Sequence, residues 1–236
     1  MERGTGGDRI QSPFVNQPID QPSMAQPVVL EGEHVRLEPL SSDHLDALCE
    51  VGLDPDLWTW ISNPVSKRED MEAYVRAALD GREQGTMLPF ATLERKGGRV
   101  VGSTRYANID LKNRRMEIGW TWVARPWQRT SINTEAKLLM FRHAFEHLEC
   151  NRVELKTDVL NERSRRSILR LGATEEGILR KHMTTSTDRV RDTVYHSITN
   201  DEWPRVEKRL QEMLASDGGR ASSNGTGLLA RKMGGS

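Results

Sequence analysis

At 236 residues the chain is long enough for one well-packed domain of ordinary size. Its 34 acidic and 34 basic residues cancel, which argues against a dedicated nucleic-acid binder but leaves room for a local basic site holding one phosphorylated ligand. Two distant cysteines, Cys49 and Cys150, give neither a disulfide framework nor a metal cluster. No apolar run approaches the ~20 residues that cross a bilayer, and the N-terminal segment lacks the basic-then-apolar pattern of a signal peptide. The expectation is a soluble, cytoplasmic protein with no nucleic-acid or membrane partner.

Residues 1–27 are rich in Gly, Gln and Pro and poor in large apolar side chains, so they are predicted to be disordered. The segment 215–236 reads in the same way, as a flexible tail, which leaves residues 28–214 as the folded domain. Within it "HVRLEPL" alternates like a strand. A short helix follows in "SSDHLDALCEV", ended by Gly52. Ser66 and Glu69 suit a capping box for a second helix, which Gly81 stops. "LPFATLER", "RVVGSTRYANID" and "RMEIGWTWVA" are three consecutive strands, joined at "KGG" and "LKNR" as antiparallel hairpins.

A long helix opens near Asn133, and its apolar stripe of Leu138, Phe141, Phe145 and Leu148 is core. "RVELKTD" is a strand. A helix from about Asn161 ends at Gly172, "ATEEGILRKHM" and "RVRDTVYHSI" are strands, and "NDEWPRVEKRLQEML" closes as a helix with Pro204 in its first turn. The order is β-α-α-β-β-β-α-β-α-β-β-α. This is an α/β chain (a mixed α+β sheet) with hairpins early and crossovers late.

One segment carries an unusual density of donors. Between the strand ending at Ala124 and the helix lie Arg125 and then Gln128-Arg129-Thr130-Ser131-Ile132-Asn133. A helix leaves its first four N–H groups without intrahelical partners, and its dipole puts partial positive charge there. Arg125 and Arg129 add full charges, and Gln128 adds side-chain donors. Such a turn can hold an anion, or it can be a solvated loop capped by Ser131 or Asn133; the motif alone leaves both open.

The combination of "EIGWTWVARPWQRTSINTEAKLL", "VELKTDVLNERSRRSILRLGATEEGILR" and "RDTVYHSI" resembles the GCN5-related N-acetyltransferase (GNAT) family, and within it the RimJ/RimL-type branch, over about residues 28–214. The resemblance implies a central twisted, mostly antiparallel sheet flanked by helices, and acetyl-CoA as cosubstrate. It implies that backbone amides of Gln128, Arg129, Thr130, Ser131, Ile132, Asn133 and Thr134 cradle the pyrophosphate, beside the strand end at Trp122 and Val123. Asn161 meets the pantetheine arm, in addition to serving as an N-cap. Arg163, Arg165, Arg166 and Arg170 form a basic helix face, which is either solvated or brings Arg165 or Arg166 to the adenosine 3′-phosphate. The family usually has glycines at the positions of Ser131 and Asn133, where positive φ is tolerated. Many relatives protonate the departing thiolate with a tyrosine where this chain has Ile168; RimL-like proteins resemble this chain in having a serine at 164, and Tyr195 is the other phenol available.

On the acceptor side, an amine of pKa ~10.4 is neutral in only ~0.04% of molecules at pH 7, and an α-amine near 8 in roughly 10%. A base is therefore needed most for a lysine-like acceptor. Glu117 is the candidate, sharing a strand face with Gly119 and Thr121; the alternative is a strand-edge Glu paired with Arg105 or Arg115. A bulge near Trp120–Trp122 would splay the strand and leave a slot for the pantetheine, with a main-chain N–H for the oxyanion. Trp58, Trp60, Tyr74 and Phe90 either frame the acceptor pocket or pack in the core. His143 and His147 share a helix face, but Glu146 is misplaced for a zinc motif, and no metal is expected. The function implied is transfer of an acetyl group to a primary amine, in particular a protein or peptide N-terminus. A small amine, amino acid or antibiotic as acceptor, or a non-catalytic acyl-CoA sensor, are the alternatives, and a homodimer is compatible with either.

Overall fold

The computed structural model describes residues 26–61 and 63–225, with side chains described through residue 216. The disorder expected of residues 1–25 and of 226–236 lies outside the described residues. The strands are β1 (Leu30–Glu31), β2 (Val35–Pro39), β3 (Met87–Glu94), β4 (Val100–Asp110), β5 (Arg115–Val123), β6 (Arg152–Asp158), β7 (Thr174–Thr184) and β8 (Val190–Thr199). They form one mixed sheet in the order β1-β2-β3-β4-β5-β6-β8-β7. Every pairing is antiparallel except β5 with β6. The helices are α1 (Leu45–Gly52), α2 (Arg68–Glu83), α3 (Ser131–Arg142), α4 (Glu162–Leu171) and α5 (Trp203–Gly225). Helix α5 therefore runs past Ala215, where composition predicts the tail to begin.

Two apolar layers hold the sheet. On one face α3 with the turn that follows it, α4 and α5 bury Phe141, Phe145, Ile168, Trp203 and Val206 against Tyr106, Ile118, Val153 and Leu155. On the other, α1 and α2 bury Leu48, Trp58, Met71 and Val75 against Ala91 and Trp122. No residue of β6, β7 or β8 belongs to that second core. The last three strands thus have an apolar layer on one face only; on the other, Asp158, Thr193 and Ser197 are buried polar groups, and β7 is exposed along nearly its whole length.

Local chemistry accounts for the helix ends. Asp70, not Glu69, completes the cap of α2: its Oδ2 accepts from the backbone N–H of Ser66 (3.0 Å) and Lys67 (3.2 Å). Because the true N-cap is Lys67, the third helical position falls one residue later than the spacing from Ser66 suggests. Gly81 does not stop α2 but lies buried inside it, where a Cβ would meet Met87 at 2.8 Å. Gly172 does end α4, in the left-handed conformation (φ 102°) that glycine adopts without a Cβ penalty. Helix α3 is capped by Thr130 and begins at Ser131, two residues before Asn133. His143 is half-buried in the π turn that follows α3, beside the Tyr106 hydroxyl (3.4 Å), where burial lowers its pKa to about 4.

Glu135 ties α3 to the sheet edge. Its carboxylate accepts three backbone N–H bonds from the β1–β2 turn, from Glu33 (2.8 Å), His34 (2.7 Å) and Val35 (2.8 Å). Sequence periodicity places Glu135 on a helix without indicating that it would be buried.

Candidate active site

The parallel pairing of β5 with β6 is short. It joins Arg115–Glu117 to Arg152–Glu154 and then stops. Beyond Glu117, β5 pairs only with β4, and beyond Glu154, β6 pairs only with β8. The strands part into a slot, with the start of α3 after one strand and the start of α4 after the other. A bulge sits on β5 at the mouth. Ser103 faces Trp122 and Arg105 faces Gly119, so Trp120 and Thr121 together oppose Thr104. Trp120 takes a left-handed φ of 48° to achieve this, a strained conformation for a bulky side chain.

The donor-rich turn lies at one end of the slot. Ser131 and Asn133 are not left-handed; the residue with positive φ is Arg129 (63°). Serine and asparagine at these positions therefore meet no backbone strain, because both lie in the first turn of α3. The N–H groups of Ser131 and Asn133 have no acceptor among the described residues, while that of Ile132 is held by Thr130 Oγ1 (3.4 Å). The Oδ1 atom of Asn133 is buried without a partner. This end can receive an anion on backbone donors.

Several side chains predicted to help are committed elsewhere. Arg125 is pinned by Asp54 and Asp56, so it does not serve the turn. Gln128 donates to Val123 O (2.8 Å) and accepts from Arg163 Nη2 (2.7 Å), bridging the β5 end to α4. Thr134 is buried and accepts from Arg170 (3.2 Å). Arg166 lies exposed on α4, paired with Glu162 (2.9 Å), and Arg165 is paired with Glu175 (3.2 Å). The arginines that α4 brings to the turn are Arg163 and Arg170, seven residues apart on one helix face; their spacing was visible in the sequence, but their partners were not. The Trp122 side chain is packed against Trp58 (centroids 5.4 Å) in the α1–α2 core, so this residue faces the slot with its backbone at most.

Across the slot, Asn161 caps α4, its Oδ1 accepting from Ser164 N (3.0 Å). Ser164 is half-buried in the first turn of that helix.

Glu117 is 1% exposed and pairs with neither Arg105 nor Arg115. Its Oε2 receives Asn108 Nδ2 (2.7 Å) and Lys156 Nζ (2.8 Å). That leaves Oε1, which lies over Gly119: a Cβ there would sit 2.7 Å from it. The missing side chain gives the carboxylate a free oxygen and space beside it. Lys156 Nζ lies 5.8 Å from the ring centroids of both Trp120 and Tyr195. The structure thus brings Glu117 and Tyr195 to one face of the sheet, the one that α1 and α2 leave open beyond β5. Of the candidate pocket aromatics, Trp58 and Phe90 are core. Tyr74 touches the site through hydroxyl contacts of 3.3 Å to Ser103 Oγ and to Trp120 O, and Trp60 is an exposed side chain with the Arg189 guanidinium 5.9 Å from its ring centroid.

Beneath the bulge lies an unexpected cation. Lys137 of α3 is 5% exposed and donates to Thr121 Oγ1 (2.7 Å) and Thr104 Oγ1 (3.4 Å), with no carboxylate partner among the described residues. Burial lowers its pKa from the usual 10.5 to about 7. Between those values the unfolded chain binds a proton that the folded chain has released, so stability rises with pH across that window. Below about 7 the penalty is present in full. Lys137→Met, which leaves Thr104 and Thr121 bonded to each other at 2.7 Å, should stabilise the fold at pH 7 by about 2 kcal/mol net, or roughly 4–8 °C. It should also flatten the rise of stability between pH 7 and 10. Thermal melts of both proteins across that range check this; a lower melting temperature in the variant contradicts it.

Comparison with known proteins agrees with this architecture. The family model described as an acetyltransferase (GNAT) domain matches residues 34–174. A Bacillus subtilis protein, YdaF, described as a ribosomal N-acetyltransferase, is 30% identical over 182 residues, covering 72% of this chain and 94% of that one. The crystal structure of a GCN5-related N-acetyltransferase from Brucella melitensis superposes with a TM-score of 0.74 at 31% identity, over 80% of this chain and 86% of that chain. Mycobacterium smegmatis RimJ, solved in complex with CoA-disulfide, shares the fold with a TM-score of 0.68 at 22% identity, over 82% of this chain and 97% of that one.

Proposed function

The chain belongs to the GNAT acetyltransferase family, whose members are acyltransferases that use acetyl-CoA, and on that footing we propose that it acetylates the α-amine at protein or peptide N-termini in the cytoplasm. The observation that carries this reading is the charged sheet face beside Glu117, which lacks an apolar layer over β6, β7 and β8. The exposed edge strand β7 leaves room for an extended peptide end to lie along it, whereas a small-molecule acetyltransferase is expected to enclose its acceptor. The likeness to a protein described as a ribosomal N-acetyltransferase points the same way. An α-amine is also roughly 10% neutral at pH 7, so one buried carboxylate suffices as base.

In this mechanism the α3 amides of Ser131 and Asn133, with Arg129 and Arg163 beside them, hold the pyrophosphate, and the slot between β5 and β6 takes the pantetheine, with Asn161 at its side. Acetyl-CoA supplies the activated acetyl group. The neutral amine attacks the thioester carbon directly, in a ternary complex. Glu117 Oε1 receives the ammonium proton as the C–N bond forms, and a main-chain N–H at the Trp120–Trp122 bulge holds the oxyanion. As the C–S bond breaks, Ser164 Oγ–H donates its proton to the thiolate and regains one from solvent, to which Glu117 releases the proton it took up; Tyr195 on β8 is the alternative donor.

Two experiments test the reading. Turnover of acetyl-CoA with short peptides bearing free N-termini, and none with the same peptides N-terminally blocked, is expected; turnover confined to small amines overturns the peptide acceptor. Ser164→Ala should lower kcat by about ten- to 10²-fold with little change in acetyl-CoA affinity. A normal rate removes Ser164 from the mechanism and leaves Tyr195→Phe as the variant that should slow it.

A further inference from the structure

Arg105 is the most isolated charge among the described residues. It lies on β4 and is 2% exposed, with its guanidinium carbon 4.6 Å from the Tyr74 ring centroid and 5.1 Å from that of Trp120. Its Nη1 touches only Met87 Sδ (3.6 Å), a weak acceptor. Nε and Nη2 are buried with no hydrogen-bond partner. Contact with two aromatic faces offsets part of the desolvation of this cation, but unsatisfied donors on a buried charge remain unfavourable. A methionine at this position would fill the space beside Met87 without that penalty.

The orphaned pair has a particular geometry. Nε–H and the outer Nη2–H lie along one edge of the guanidinium, parallel to each other. That edge matches the two oxygens of a carboxylate in a bidentate fork. Arg105 also sits directly opposite Gly119 in the β4–β5 ladder, and it is over Gly119 that Glu117 leaves Oε1 free. The Trp120 ring that covers Arg105 faces Lys156 Nζ as well. Arg105 and Lys156 thus both lie beside Glu117 on the floor of the acceptor site, with the Arg191–Asp158 pair farther along the same face.

We propose that the acceptor is a primary amine carrying a carboxylate next to it, which the Nε–Nη2 edge of Arg105 receives while the amine meets Glu117 Oε1. This rests on the acetyltransferase reading of the same site. The shared chemistry, an amine adjacent to a carboxylate, comes either from an aspartate or glutamate at a peptide N-terminus or from a free amino acid.

The test compares matched acceptors that differ only in charge: peptides beginning with Asp or Asn, and free amino acids or their amides. In the wild-type protein the charged member of the peptide pair or of the amino-acid pair should have the higher kcat/KM, by at least about tenfold; the pair that shows it identifies the source. In Arg105→Met that ratio should fall to about one, with a melting temperature at or above wild type, as expected where a buried unpaired charge is replaced by an apolar side chain. Arg105→Lys, which keeps the charge and loses the fork, should give an intermediate ratio. Equal rates with both members in wild type, or a ratio that survives in Arg105→Met, overturns the proposal while the acetyltransferase reading stands. Should no acceptor turn over, that reading fails separately. The binding claim is then decided by melting wild type and Arg105→Met with CoA and either N-acetylaspartate or N-acetylasparagine amide, which carries no carboxylate. A shift given by the aspartate compound, and only in wild type, supports it; no such difference overturns it.

Discussion

Glu117→Gln lowers kcat by about 10²- to 10³-fold and leaves acetyl-CoA binding close to wild type. The substitution is nearly isosteric and removes only the ability to take up a proton, and positioned general bases contribute about 10²–10⁴-fold. The geometry is specific about which oxygen does the work. Oε2 is occupied by Asn108 and Lys156, so Oε1, above Gly119, is the atom proposed to meet the acceptor. Gly119→Ala should therefore mimic part of the effect, since its methyl group would fall 2.7 Å from Oε1. Steady-state kinetics at saturating acetyl-CoA, with the affinity measured separately, check both variants. A kcat within threefold of wild type in Glu117→Gln would assign the carboxylate a structural role as the partner of Lys156.

The second large effect concerns stability. Glu135→Ala should destabilise the fold by about 3–4 kcal/mol and lower the melting temperature by roughly ten degrees, because hydrogen bonds to a charged group are worth about 1.5–3 kcal/mol each and orphaned buried donors add a desolvation penalty. Of the three N–H groups it would release, that of Val35 is fully buried, while those of Glu33 and His34 recover some hydration. Glu135→Gln keeps a neutral acceptor and should lie between the two. A melting temperature for Glu135→Ala within two degrees of wild type would show that the turn before β2 holds itself together.

The fold was largely legible in the sequence because its elements announce themselves by period and punctuation. Residue pattern and turn residues gave β2 to β8, and Gly172 and Pro204 marked the end of α4 and the start of α5. β1 was missed: two residues carry no period. The site was legible where backbone defines it. The bulge considered near Trp120–Trp122 is present on β5, and the helix after it starts at Ser131, two residues before the expected Asn133. Side-chain partnerships were not legible, since they depend on which residues the sheet brings opposite one another. Arg125 bonds to Asp54 and Asp56, about seventy positions away in the chain, and Arg163 to Gln128, 35 positions away; no window of sequence contains both ends. The same holds for Arg105 and Lys137. Each reads as an ordinary surface cation until β4 and α3 place it in the interior.

Acetyl-CoA held in the slot between β5 and β6, with the start of α3, is the premise of every catalytic role proposed above. Calorimetric titration of acetyl-CoA into the purified protein tests this most directly, run beside Asn161→Ser, which keeps a hydroxyl to cap α4 but lacks the amide. Micromolar binding of one molecule per chain, weakened about tenfold in the variant while its melting temperature holds, is the predicted result. No binding in the wild-type protein would contradict the account, and with it the roles given to the first turn of α3, to Asn161 and to Ser164.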